Sequence, residues 1–223
     1  MLVTDRHATL GRPLLDVVAA ALSGIAAGGL APAEVAVQLR EKDLEGRALT
    51  ELAWALRALT AEVGAQLYIN DRADIALAVR ADGVQLAGIS LSAADVGRFA
   101  PELGIGVSAH RVGDVAGIHA GAASGRIGFA MFGPVNDTPS KRGFGAPVGL
   151  AALTEAARIG LPLIAIGGLG PADVAPALAA GASGVACIRA VMSAADPGAT
   201  VAAFCKCLAH LRPPPGAEPA SRT

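Results

Sequence analysis

A glutamine, an arginine and a lysine occupy alternate positions in Gln38-Leu39-Arg40-Glu41-Lys42. Alternate residues of an extended chain point to one side, so this run sets one amide and two cations on a single face. Two cations at that spacing, one able to make two parallel hydrogen bonds, suit a phosphate or diphosphate. They also occur at strand ends as an ordinary solvated loop, and this segment alone does not choose. Asn70-Asp71 offers an amide and a carboxylate. The carboxylate could hold Mg2+, which takes oxygen ligands and keeps several waters, or could cap a following helix over Ala73 to Val79. Ser108 and His110 add a hydroxyl and an imidazole, although a lone histidine is more often structural.

A second set lies further along. The Gly- and Pro-rich stretch from Gly133 to Pro147 carries Thr138, Ser140 and Lys141, two hydroxyls beside an ammonium, as an anion clamp requires. Long loops in compact domains are usually functional or disordered. Ile166-Gly167-Gly168-Leu169-Gly170-Pro171 can bring backbone N–H groups close to an anion at the start of a helix. Cys187-Ile188-Arg189 follows.

These groups all fall at the ends of short apolar runs. Candidate strands are Leu2–Thr4, Glu34–Arg40, Gln66–Asn70, Gly83–Leu86, Ile105–Ser108, Arg126–Phe132, Leu163–Ile166 and Gly184–Ile188. Between them lie segments with helical spacing, such as Leu49, Leu52, Ala53, Leu56 and Leu59. Alternating strands and helices predict a parallel sheet with right-handed crossovers. Eight such units predict an α/β fold, a single (β/α)8 barrel of the TIM type, over residues 1–211, whose active site forms at the carboxyl ends of the strands. An open doubly wound sheet is the structural alternative. Residues 212–223 hold Pro213, Pro214, Pro215 and Pro219 and are expected to be a disordered tail.

Composition removes other classes. The 223 residues are 53% hydrophobic and 17% charged, enough apolar surface for one buried core. Aromatic residues are only 3% and the formal net charge is −1, a poor basis for binding nucleic acid, which needs stacking platforms and positive charge. The uncharged stretch Val17 to Ala33 is broken by Gly24, Gly28, Gly29 and Pro32, so a membrane span is not expected. The first residues do not read as a signal peptide. Cys187, Cys205 and Cys207 show no disulfide or metal pattern and fit a reducing cytoplasm. The partners expected are small molecules, with a homo-oligomer compatible with the sequence.

Taken in order, Val3-Thr4-Asp5-Arg6, Gln38-Leu39-Arg40-Glu41-Lys42, Ile69-Asn70-Asp71-Arg72, Gly106-Val107-Ser108-Ala109-His110, Phe132-Gly133-Pro134, Thr138-Pro139-Ser140-Lys141 and Ala165-Ile166-Gly167-Gly168 resemble the thiamine-phosphate synthase family. The blocks span roughly residues 2 to 197. The resemblance implies a transferase that joins 4-amino-2-methyl-5-(diphosphooxymethyl)pyrimidine to a thiazole phosphate and releases pyrophosphate. It implies that Arg40, Lys42, Lys141 and a Mg2+ on Asp71 neutralise the pyrophosphate. Gln38, Asn70 and Ser108 would orient the diphosphate and the pyrimidine. Thr138, Ser140 and the amides near Gly168 and Ile188 would hold the thiazole phosphate.

Two departures stand out. Where the family pattern resembles H-L-G-Q-x-D, this chain reads Gln85-Leu86-Ala87-Gly88-Ile89-Ser90, so Ser90 replaces a second Mg2+ carboxylate. Arg189 stands where the family's eighth strand ends in serine. The expectation is a site about two charges more positive than the pattern (from the residue types,), with Arg189 partly replacing the metal's charge and Mg2+ dependence weakened. The related thiazole tautomerase also lacks the second aspartate, but has a histidine where this chain has Pro134. A non-catalytic binder of thiamine intermediates is the remaining alternative.

Overall fold

The computed structural model describes residues 1–122, 127–138 and 146–211. Eight strands, β1 (Leu2–Val3), β2 (Ala36–Leu39), β3 (Gln66–Asn70), β4 (Gly83–Leu86), β5 (Gly104–Ala109), β6 (Ile127–Phe132), β7 (Leu163–Ile166) and β8 (Gly184–Ala186), follow one another in chain order. Every neighbouring pair is parallel. A bridge from Leu2 to Cys187 closes the ring. At this seam Val3 N–H donates to Cys187 O at 2.9 Å and Cys187 N–H to Met1 O at 3.1 Å. The expected barrel is therefore the observed one. Three strands are shorter than expected: β1 ends at Val3, β8 ends at Ala186, and Glu34 is drawn into a turn beginning at Pro32, where its carboxylate accepts from Ala31 N–H at 2.9 Å.

Ten α-helices lie among the described residues: α1 (Leu14–Ser23), α2 (Ile25–Gly28), α3 (Gly46–Val63), α4 (Ala73–Ala78), α5 (Ala93–Phe99), α6 (Val112–Ala122), α7 (Gly149–Ala157), α8 (Val174–Ala179), α9 (Arg189–Met192) and α10 (Pro197–Leu211). The longest, α3, buries Leu49, Ala53, Leu56 and Thr60, one stripe at helical spacing. It stops at Gly64, which takes a left-handed φ of 77° while its N–H caps Thr60 and Ala61, a conformation glycine adopts without a Cβ penalty. No helix among the described residues is long and apolar enough to cross a membrane.

The strands feed two separate packings because successive residues face opposite ways. Val37, Leu39, Leu67, Ile69, Val84, Leu86, Ile105 and Ala109 join the main core between sheet and helices. The alternate residues therefore face the lumen. On β1, β6, β7 and β8 these are apolar: Val3, Met131 and Ala186 form their own cluster with Ile164, Ile166 and Ile188. On β2 to β5 the matching positions are Gln38, Asn70, Gln85 and Ser108. The lumen thus has a polar wall and an apolar wall. Tyr68 and Phe129 meet edge to face, ring centroids 5.7 Å apart. Glycines at 83, 104 and 106 leave room for them, since a Cβ at 83 or 106 would overlap one of these rings and one at 104 would press on the Tyr68 hydroxyl.

Candidate active site

The carboxyl ends of the strands carry those of the predicted residues that lie among the described ones. Gln38 lies on β2 and is 1% exposed, and its Nε2 donates to Asn70 Oδ1 on β3 at 3.2 Å. Gln85 on β4 is equally buried, and its Nε2 donates to Ser108 Oγ on β5 at 3.1 Å. The Oε1 atoms of both glutamines have no partner. A buried amide oxygen left unpaired is costly, so two of them facing one lumen mark a place for donors from outside. Sequence reasoning placed Gln38, Asn70 and Ser108 here but not Gln85. The signal was an amide inside the short, otherwise apolar run Gly83–Leu86.

Arg40 and Lys42 lie just beyond β2, the arginine half-buried and the lysine exposed. Thr4 Oγ1 accepts from the Arg40 backbone N–H at 2.9 Å. Glu41, between the two cations, is buried and accepts from Arg6 N–H at 3.1 and 3.2 Å and from Arg6 Nη1 at 3.2 Å. Arg6 also grips Asp43 through two bonds of 2.6 Å, and His7 Nε2 lies 3.0 Å from that carboxylate. Arg6 first, then His7, hold the Asp43 carboxyl well below the usual carboxylate range. The segment bearing both cations is thus stapled to the loop after β1. The pairing of Arg6 with Glu41 was not legible in the sequence, because it exists only once β1 and β2 are neighbours.

Asp71 takes a left-handed φ of 67° at the end of β3, its N–H donating to Gln85 O at 2.9 Å. It does not cap α4: the residue before that helix is Arg72, which makes no side-chain cap bond. Ser90 Oγ accepts from Ala87 N–H at 2.7 Å. Glu41 is taken up by Arg6, and Asp5 accepts from His7 N–H at 3.1 Å. No cluster of three or more histidine, cysteine, aspartate or glutamate side chains able to hold a metal occurs among the described residues. One carboxylate, Asp71, fits a Mg2+ shared with substrate phosphates and water, and does not fit an ion caged by protein alone.

His110 is exposed at the end of β5 with Nδ1 2.6 Å from Gly133 O. A carbonyl only accepts, so Nδ1 carries the proton and Nε2 of the neutral ring is left as an acceptor. The loop after β6 is zipped to β7 by Val135 N–H to Ile166 O at 2.8 Å and Asn136 N–H to Gly167 O at 3.0 Å. Gly167 and Gly168 have φ of 104° and 64°, and side chains there would strike Pro134 and the Asp137 carbonyl respectively. Close packing of the β6 loop therefore explains both glycines without an anion. Asn136 Nδ2 reaches Asp173 Oδ1 at 3.1 Å, whose other oxygen accepts from Gly170 N–H at 2.8 Å. Thr138 is half-buried beside this zipper; Ser140 and Lys141 lie outside the described residues. Ile188 precedes α9, and Arg189, exposed, is its first residue.

A closed parallel barrel whose strand ends collect cations, amides and glycine-backed amide groups is a barrel of the phosphate-ester-binding class. The profile described as thiamine monophosphate synthase matches residues 1–191. The chain belongs to the thiamine monophosphate synthase family. A relative from Geobacter sulfurreducens is 49% identical over 199 residues, covering 88% of this chain and 87% of its own. The thiamine-phosphate synthase of Roseiflexus castenholzii is 42% identical over 207 residues, covering 91% and 85%. The solved structure of thiamine phosphate pyrophosphorylase from Pyrococcus furiosus superposes with a TM-score of 0.78 at 30% identity, covering 93% of each chain.

Proposed function

We propose that this chain is a thiamine-phosphate synthase, a transferase acting on a pyrimidine diphosphate and a thiazole phosphate. The bond between the pyrimidine methylene carbon and the diphosphate oxygen breaks, and its electron pair leaves with pyrophosphate. The lone pair of the thiazole nitrogen then forms the new C–N bond to that carbon. Little is asked of a general base. Most of the work is to hold two rings close and to stabilise the departing charge.

The observation that carries this reading is the two-sided lumen beneath a cationic rim. Arg40 and Lys42 would take the diphosphate, joined by Lys141, whose side chain the resemblance assigns to the same anion. Gln38, Asn70 and Ser108 would orient the pyrimidine and its ester against the polar wall. Ile164, Ile166 and Ile188 offer the thiazole an apolar face, with Thr138, Ser140 and the amides near Gly168 and Ile188 for its phosphate. Asp71, water and the diphosphate would hold Mg2+ together. The ion supplies positive charge to the leaving group, and Arg189 adds to that charge at the same rim. Three free thiols suit a reducing cytoplasm.

The test is pyrophosphate release from purified protein given both substrates, with and without Mg2+. Pyrophosphate and thiamine phosphate formed in equal amounts support the synthase. Binding of both substrates without either product would overturn it in favour of a tautomerase or a binding protein.

A further inference from the structure

The two unpaired glutamine oxygens differ in standing. Gln38 belongs to the run that the family resemblance already assigns to substrate. Gln85 does not, and its surroundings are built around it. It is 1% exposed, its amide nitrogen is spent on Ser108, and its Oε1 has no partner. In register, Gln85 on β4 lies opposite Gly106 on β5, which lies opposite Phe129 on β6. A Cβ at position 106 would overlap both Gln85 Oε1 and the Phe129 ring. The missing side chain therefore lets the amide oxygen lie across β5 beside the Phe129 ring. An acceptor held there can take a donor from the edge of a flat ring that packs near the aromatic side chain.

We propose that Gln85 is a specificity-determining residue whose Oε1 accepts an N–H from the amino group of the pyrimidine. The inference rests on the synthase reading for the identity of that ring. The chemistry recognised is an exocyclic amine on a heteroaromatic ring. Gln38 and Gln85 sit two strands apart, roughly 10 Å between backbones, and their side chains point inward from the same wall. A ring lying between them can offer donors to both. A ring lacking the amine leaves a buried oxygen unpaired, and sites of that kind reject such analogues strongly.

The experiment separates recognition from turnover by using pyrimidine monophosphates, which keep the ring and lack the leaving diphosphate. Calorimetry compares the amino compound with its desamino analogue on three proteins. Wild type is expected to bind the amino compound at least about tenfold more tightly, the order expected for one buried hydrogen bond. In Gln85→Leu that preference should shrink several-fold, and in Gln85→Glu, which retains an acceptor, it should persist. Should Gln85→Leu not fold, Gln85→Met serves in the same comparison. Full preference in a folded leucine or methionine variant, or no preference in wild type, overturns the proposal. A wild type that shows the Gln85-dependent preference but releases no pyrophosphate would sink the synthase reading and leave this role standing.

Discussion

At the scale of single residues, the site's charges have unequal freedom. Arg40 is fixed through its backbone by Thr4, and its neighbour Glu41 is stapled by Arg6. Arg40→Lys, which keeps the charge and loses the two-pronged grip, should raise KM for the pyrimidine diphosphate about tenfold, with a smaller change for the thiazole phosphate in steady-state kinetics. With Asp71 as the carboxylate proposed for Mg2+, the ion is expected to bind together with its anion. Calorimetry should find Mg2+ binding weakly alone and at least tenfold more tightly when pyrophosphate is present, a gain that Asp71→Asn abolishes; tight binding of Mg2+ alone would refute the shared site. Cys187 carries a pH signature. Burial pushes its thiol up to about 11, against roughly 8.5 in an unfolded chain. Both states are protonated below the lower value, so this group adds no pH dependence there. As pH rises from there towards 11 the unfolded chain ionises first, and stability falls. Melting temperatures between pH 8 and 11 should decline less steeply in Cys187→Ala than in wild type.

The elements were largely legible in the sequence, and the reasons are local. Gln66–Asn70, Gly83–Leu86 and Leu163–Ile166 fall where expected because short apolar runs bounded by turn residues have few other ways to bury themselves. Glu34 was misplaced because its side chain bonds back to Ala31, a local competition that strand periodicity does not see. Gln85, Arg6 and Glu41 could not be read in the same way, since each acquires its meaning from a strand remote in sequence. Gly167 and Gly168 suggested an anion cradle, whereas the β6 loop pressed against them already requires glycine. At the element scale the sharpest test is Gly106→Ala on β5. The added methyl should force apart Gln85 and Phe129 and cost about 1–3 kcal/mol of stability, seen in denaturant unfolding, together with weaker binding of the pyrimidine.

Across the whole molecule the ring is uneven. β5 and β6 pair over several residues, whereas β1 has only two, and its far side meets β8 through an isolated bridge. Amide exchange in the native state should therefore be fastest, among the strand amides, at Val3 and Cys187, where few hydrogen bonds guard each other. Equal protection around the ring would contradict this.

The three lumen glycines set an asymmetry in what mutation can do to the cavity. Positions 83, 104 and 106 are space already lent to Tyr68, Phe129 and Gln85, so any side chain placed there takes volume from one of these neighbours. Single substitutions at these sites can only shrink or distort the chamber. Cutting back Tyr68 or Phe129 would enlarge it on this side, but removes an aromatic contact along with the bulk. On this side of the lumen, the space open to a ring is thus set by two aromatic side chains and by the absence of three others.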